Sequence, residues 1–165
     1  MKITVLNTGG TFNKRYNPLK GELEVPTDNI ALDEIIEACH NLDMDIKNII
    51  SKDSLEMNDA DRAEIVRNIE DANNDKIIII HGTDTVDLTA KYISERVKDK
   101  IVILTGAMVP MSIKKVEATM NFSLALGAMS GQLKNGVYVA MHGVVLPHVA
   151  LKKNKIEGKF LVSGI

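Results

Sequence analysis

Cysteine is almost absent from this 165-residue chain: Cys39 stands alone. That excludes an internal disulfide framework and a cysteine-based zinc site. No apolar run approaches the length of a membrane span. The first residues run straight into a strand pattern, so no signal peptide is expected. Nor is there a basic stretch of the kind that tracks nucleic acid. The net charge is −2, and the cluster Lys152-Lys153-Asn154-Lys155 is short enough for an ordinary solvated loop. Internal repeats, low-complexity tracts and linkers are also missing. These absences predict one soluble, cytoplasmic domain over 1–165, long enough to bury its own core. Cys39 falls on an apolar helical stripe and reads as a buried structural thiol.

Against that background the stretch Lys76–Thr85, KIIIIHGTDT, stands out. Four consecutive isoleucines, Ile77 to Ile80, predict a strand buried on both faces. The run stops at His81-Gly82-Thr83-Asp84-Thr85. Gly82 permits a tight turn, and Asp84 or Thr85 can cap a helix beginning at Val86. Hydroxyls, a carboxylate and an imidazole thus gather at the carboxyl end of a central strand, where open α/β sheets bind ligands.

The rest of the chain alternates strand and helix. Strands are predicted at Lys2–Leu6, Asp45–Ile50, Lys76–Ile80, Lys100–Leu104 and Val137–Met141. Helices are predicted from about Asn29 to His40, after a cap at Asn58 or Asp59, over Val86–Val97, and from about Val116 to Met129. The last is apolar almost all round, so it is buried under the sheet or in an oligomer interface. Phe12–Glu24 has turn signals and no helical period, which reads as a hairpin or mobile loop. Beyond Val144 the signals weaken. The economical arrangement is a three-layer α/β domain with a five-stranded, mainly parallel sheet of order 2-1-3-4-5, flavodoxin-like. Strands one and three are then neighbours, and the polar ends Thr8–Thr11 and His81–Thr85 face each other across a crevice.

That crevice offers the hydroxyls of Thr8, Thr11, Ser54, Thr83, Thr85 and Tyr16, and the carboxylate of Asp84. Main-chain N–H groups at Gly9, Gly10 and Gly82 could hold an oxyanion. A threonine becomes a nucleophile when a neighbouring lysine or tyrosinate takes its proton, and a carboxylate can orient that base. The chemistry is amide or ester hydrolysis through an acyl-enzyme. Two rival readings use the same residues. A glycine-rich loop after the first strand suggests a phosphate cradle, but the Walker pattern is absent and no helix starts after Gly10. His81, His142 and His148 with Asp84 could hold a metal, but none has a tight ligand spacing.

Three segments carry a resemblance. Thr8-Gly9-Gly10-Thr11, His81-Gly82-Thr83-Asp84-Thr85 and Thr105-Gly106-Ala107-Met108-x-Pro110 resemble, in order and spacing, the signature segments of bacterial-type L-asparaginases. A related amidotransferase subunit, which feeds ammonia to transfer RNA-linked glutamate, shares the pattern. The resemblance extends over almost the whole chain but only over the family's N-terminal domain, so 1–165 is expected to be a single asparaginase N-terminal-like domain.

The resemblance implies roles. Thr11 matches the nucleophile on a flexible loop, and Tyr16 the loop tyrosine that assists it. Ser54 matches the serine that binds the substrate's α-carboxylate. Thr83 and Asp84 match the second threonine and the acid that grips the amino group. Lys153, with Lys152 as the fallback, matches the lysine paired with that threonine. Such a lysine needs a depressed pKa to act as a base. No cofactor and no metal are implied. The implied partners are a small amino-acid substrate and further copies of the chain, as a dimer or tetramer, without nucleic acid or membrane. In the family a C-terminal domain from a neighbouring subunit completes the pocket. The chain also departs from the pattern. Val109 stands where arginine is frequent, Leu55 replaces a polar residue, and Glu117-Ala118-Thr119-Met120-Asn121 stands where Asp-Gly-Pro is usual. The expected function is therefore an amidohydrolase acting on asparagine or a related amide. The alternative is a non-catalytic amino-acid-binding or assembly module on the same fold.

Overall fold

The structure, a computed structural model, describes residues 1–163; Gly164 and Ile165, the end of the expected domain, lie outside the described residues. Strand β1 (Lys2–Gly9) leads into a single 3-10 turn, Thr11–Asn13, and then a small hairpin of β2 (Arg15–Asn17) and β3 (Glu22–Glu24). Helix α1 (Ile30–Ile36), β4 (Asp43–Lys52), α2 (Asp59–Glu70), β5 (Lys76–Ile80), α3 (Val86–Arg96), β6 (Ile101–Thr105), α4 (Lys115–Met129) and β7 (Gly136–Met141) follow. The chain then folds back through β8 (Val144–Pro147) and a second hairpin, β9 (Leu151–Asn154) with β10 (Lys159–Val162).

The central sheet has the order β4-β1-β5-β6-β7-β8. Its first five strands are parallel and reproduce the expected 2-1-3-4-5 order, a flavodoxin-like plan. The sheet has six strands rather than five, because β8 adds antiparallel to β7. β8 escapes a sequence reading because it is only four residues long and closes on Pro147, which belongs on a sheet edge. Strand β4 runs ten residues, well past Asp45–Ile50 at both ends. Helix α1 is shorter than expected: it ends at Ile36, and the chain continues in tighter turns, the Ala38 N–H donating to the Ile35 carbonyl and the Cys39 N–H to the Ile36 carbonyl. Cys39 is consequently half-buried, its Sγ 3.5 Å from the Ile35 carbonyl.

Each face of the sheet buries one apolar layer. Ile77 and Ile79 pack with α2 and α3, while Ile78 and Ile80 pack with α1 and α4. The period of two in a strand divides the isoleucine run between the two cores. Helix α2 begins with a capping box, Asn58 accepting from the Ala60 and Asp61 N–H groups and the Asp61 side chain returning to Asn58 N–H. Helix α4 is buried along Ala118, Phe122, Ala125 and Met129. Its other face is open, with Val116 65% and Met120 44% exposed. No helix among the described residues is long and apolar enough to cross a membrane.

Ile79 is fully buried between β5's neighbours and α2 and α3. Ile79→Ala is expected to lower the unfolding free energy in urea by about 2–5 kcal/mol. Leu19→Ala, at a position 95% exposed, is expected to change it by less than about 0.5 kcal/mol.

Candidate active site

Because β1 pairs directly with β5, Asn7 opposite Ile80, their polar ends emerge side by side. They approach more closely than side chains would allow. A Cβ on Gly10 would lie 2.5 Å from both the Cα and N of Gly82. A Cβ on Gly82 would in turn meet Ser54, 2.6 Å from its Oγ. Gly10 adopts a positive φ of 75°, open to glycine at little cost. One residue beyond these crossing glycines stand Thr11 and Thr83.

Thr83 lies at the centre of a charged, hydrogen-bonded group. Lys153 Nζ donates to Thr83 Oγ1 at 2.8 Å and to Asp84 Oδ1 at 3.0 Å. Lys153 reaches it from β9, directly opposite Phe160 in the β9–β10 hairpin. Lys152, one residue earlier, alternates to the other side and lines a surface groove with Leu88 and Val149. The structure therefore brings Lys153, not Lys152, to the threonine. Ser54 is buried beside them. Its Oγ accepts from the Asp84 N–H at 3.3 Å, and its carbonyl accepts from Thr85 Oγ1 at 2.8 Å. Thr85 holds the N-cap position of α3 without making a side-chain cap, because its hydroxyl is committed to Ser54.

Other expected residues are placed differently. Thr8 is fully buried and donates to the Ile80 carbonyl at 2.7 Å, a structural role. The Gly9 N–H donates to Asn7 Oδ1 at 3.1 Å, and the Gly10 N–H to the Lys52 carbonyl at 2.9 Å. Neither is directed at an oxyanion. Tyr16 sits on β2, 63% exposed, and makes none of the contacts that tie the cluster together. The histidines of the metal reading separate. His81 bonds the Gly82 carbonyl, His142 bonds Glu117, and His148 bonds Ser94. No group of three or more His, Cys, Asp or Glu side chains among the described residues is arranged to hold a metal.

Sequence reasoning missed the ion pair between Lys14 and Asp53, 2.6 Å long and half-buried. It joins the loop carrying Thr11 to the turn carrying Ser54. Burial raises the Asp53 pKa, but hydrogen bonds from Lys14 and the Leu55 N–H, with the Lys14 and Lys153 charges, outweigh it and hold the carboxyl below its ordinary value. The partners are 39 residues apart, and nothing local in the sequence links them. A cavity of about 570 Å³ lies beside this pair, walled by Lys14, Val25, Asp53 and Leu55. Thr83, Asp84 and Lys153 do not line it.

Residues 2–158 match the model of the asparaginase N-terminal domain. The chain belongs to the asparaginase family. It is 32% identical over 146 residues to a glutamyl-tRNA(Gln) amidotransferase subunit from Methanococcus maripaludis strain C6, covering 86% of this chain and 35% of that protein. It is 29% identical over 144 residues to the L-asparaginase of Thermococcus kodakarensis, covering 85% of this chain and 44% of the relative. The solved thermostable L-asparaginase from that organism superposes with a TM-score of 0.83 at 25% identity, covering 98% of this chain and 51% of the other. The chain thus spans between about a third and just under half of the curated relatives it matches.

His81 directly precedes Gly82 at the end of β5. It is fully buried, and burial pushes its pKa from 6.5 down to about 4. The ring is therefore neutral at pH 7, with Nδ1–H donating to the Gly82 carbonyl at 2.7 Å and Nε2 unpartnered among the described residues. Below 6.5 the unfolded chain takes up this proton before the folded one does. The contribution is thus fully present above 6.5 and is lost as pH falls toward about 4, a change of roughly 3 kcal/mol. Urea unfolding across that range should show the decline, and His81→Gln should flatten its share. At the crossing, Gly10→Ala should cost stability and displace Thr11, read as a lower unfolding midpoint at unchanged slope.

Proposed function

We propose that this chain supplies the nucleophile-bearing domain of an amidohydrolase that cleaves the side-chain amide of asparagine or a related amide. The observation that carries the proposal is the Lys153–Thr83–Asp84 group, with bonds of 2.8 and 3.0 Å, set one residue beyond the Gly10–Gly82 crossing that also delivers Thr11.

In this reading Thr11 Oγ attacks the amide carbonyl. Its proton passes through the relay of Thr83, Lys153 and Asp84 to the departing nitrogen, and Tyr16 assists when the Thr11 loop closes. The bond from Thr11 Oγ to the carbonyl carbon forms, the carbon–nitrogen bond breaks, and ammonia leaves. Water then cleaves the ester and releases the acid. Ser54 and Asp84 grip the α-carboxylate and α-amino group of the substrate. The Gly10 and Gly82 backbone shapes the floor, and main-chain N–H groups around Gly82 hold the oxyanion. No cofactor takes part. In the same reading the chain acts as an asparaginase N-terminal-like domain in a cytoplasmic homo-oligomer, whose copies meet at the open Val116–Met120 face of α4.

A second reading is favoured by the positions of Tyr16 and of the Gly9 and Gly10 N–H groups, which do not face the cluster. In it, the domain binds an amino acid through Ser54 and Asp84 without turning it over.

Ammonia release from asparagine and glutamine separates the two readings. Thr11→Val and Lys153→Met should each lower it by roughly 100-fold or more, with aspartate binding by calorimetry retained in Thr11→Val. Full activity in Thr11→Val would overturn the mechanism. Binding without any release by the native chain would leave the second reading.

A further inference from the structure

The turn joining β7 to β8 consists of His142 and Gly143, with φ values of 50° and 91°. Two-residue hairpin turns with both central residues at positive φ favour Asn-Gly or Asp-Gly. A bulky imidazole at the first position calls for a compensating role, and the structure supplies one. His142 Nε2 lies 3.0 Å from Glu117 Oε1. The same carboxylate accepts the Met108 N–H at 2.9 Å and the Val109 N–H at 3.1 Å, so it holds the turn that follows β6. On the other side of the ring, the Phe160 N–H donates to His142 Nδ1 at 3.5 Å. The two rings meet edge to face, with centroids 5.6 Å apart at 89°. Only the neutral tautomer with its proton on Nε2 makes both bonds.

Both ends of this bridge reach Thr83. Phe160 is directly opposite Lys153 in the β9–β10 hairpin, so the two side chains share one face. The turn held by Glu117 begins at Gly106, where a Cβ would lie 2.3 Å from the His81 carbonyl oxygen and 3.6 Å from Thr83 Cγ2. Lys153 belongs to a two-stranded sheet outside the central one, so its position depends on such anchors. We propose that His142 is a positioning residue for Lys153, tying the β9–β10 hairpin to Glu117 and the turn that walls Thr83. For its kinetic consequence this rests on the amidohydrolase reading above.

The test uses His142→Asn, which suits the positive φ better than histidine and removes the bridge. Unfolding free energy should stay level or rise, while kcat for ammonia release falls roughly 10- to 100-fold and KM stays within about twofold. His142→Gly should behave alike and recover activity when free imidazole is added. An independent readout is amide hydrogen exchange. Phe160 and residues 151–162 should exchange about 10-fold faster in His142→Asn. This holds even if the native chain releases no ammonia, so failure of the function and failure of the bridge are distinguishable. Unchanged hairpin exchange, or unchanged kcat in an active enzyme, would overturn the proposal.

Discussion

The crossing of Gly10 over Gly82 sets the distances on which the rest of the site depends. Adjacent parallel strands normally diverge into separate loops at their carboxyl ends. Here two Cβ-less residues let the backbones touch, and Ser54 packs into the space beside Gly82. A third close approach, Gly106 against the His81 carbonyl, brings in the next strand. Loops from β1, β4, β5 and β6 thereby converge within side-chain reach of one another, and the fully buried Ile77–Ile80 of β5 between them makes the platform rigid.

Charge is distributed around this platform in pairs. Lys153 with Asp84 and Lys14 with Asp53 each place an ammonium beside a carboxylate in partial burial. Removing one member of such a pair leaves the other uncompensated, which costs more than the pair contributes when intact. His81, by contrast, is buried uncharged, its Nδ1–H fixing the Gly82 carbonyl just before Thr83. The cluster thus pairs its half-buried charges and keeps the fully buried imidazole neutral.

Much of this was legible from residue patterns, and the exceptions have physical causes. The isoleucine run and the alternation of strands with helices led to the strand order, because parallel connections of one hand leave few choices. The facing polar ends followed from that order. β8 was not legible, since its turn is His-Gly where Asn-Gly is the usual signal, and the Lys- and Asn-rich β9 resembles a loop. Only the family resemblance points to Lys153; no local pattern distinguishes it from Lys152. The Gly9 and Gly10 N–H groups illustrate the opposite error. A glycine-rich turn suggests donors aimed at a ligand, yet Asn7 and the Lys52 carbonyl claim both. Long-range pairs such as Lys14 with Asp53, or Glu117 with His142, exist only once the fold is made.

The nucleophilic role proposed for Thr11 rests on its place one residue beyond the glycine crossing. Its most direct measurement is mass spectrometry of the intact chain and its peptides after treatment with an electrophilic asparagine analogue. One equivalent of label is expected, attached to Thr11 and blocked by aspartate. Label on another hydroxyl, or none on a chain that binds aspartate, would contradict it.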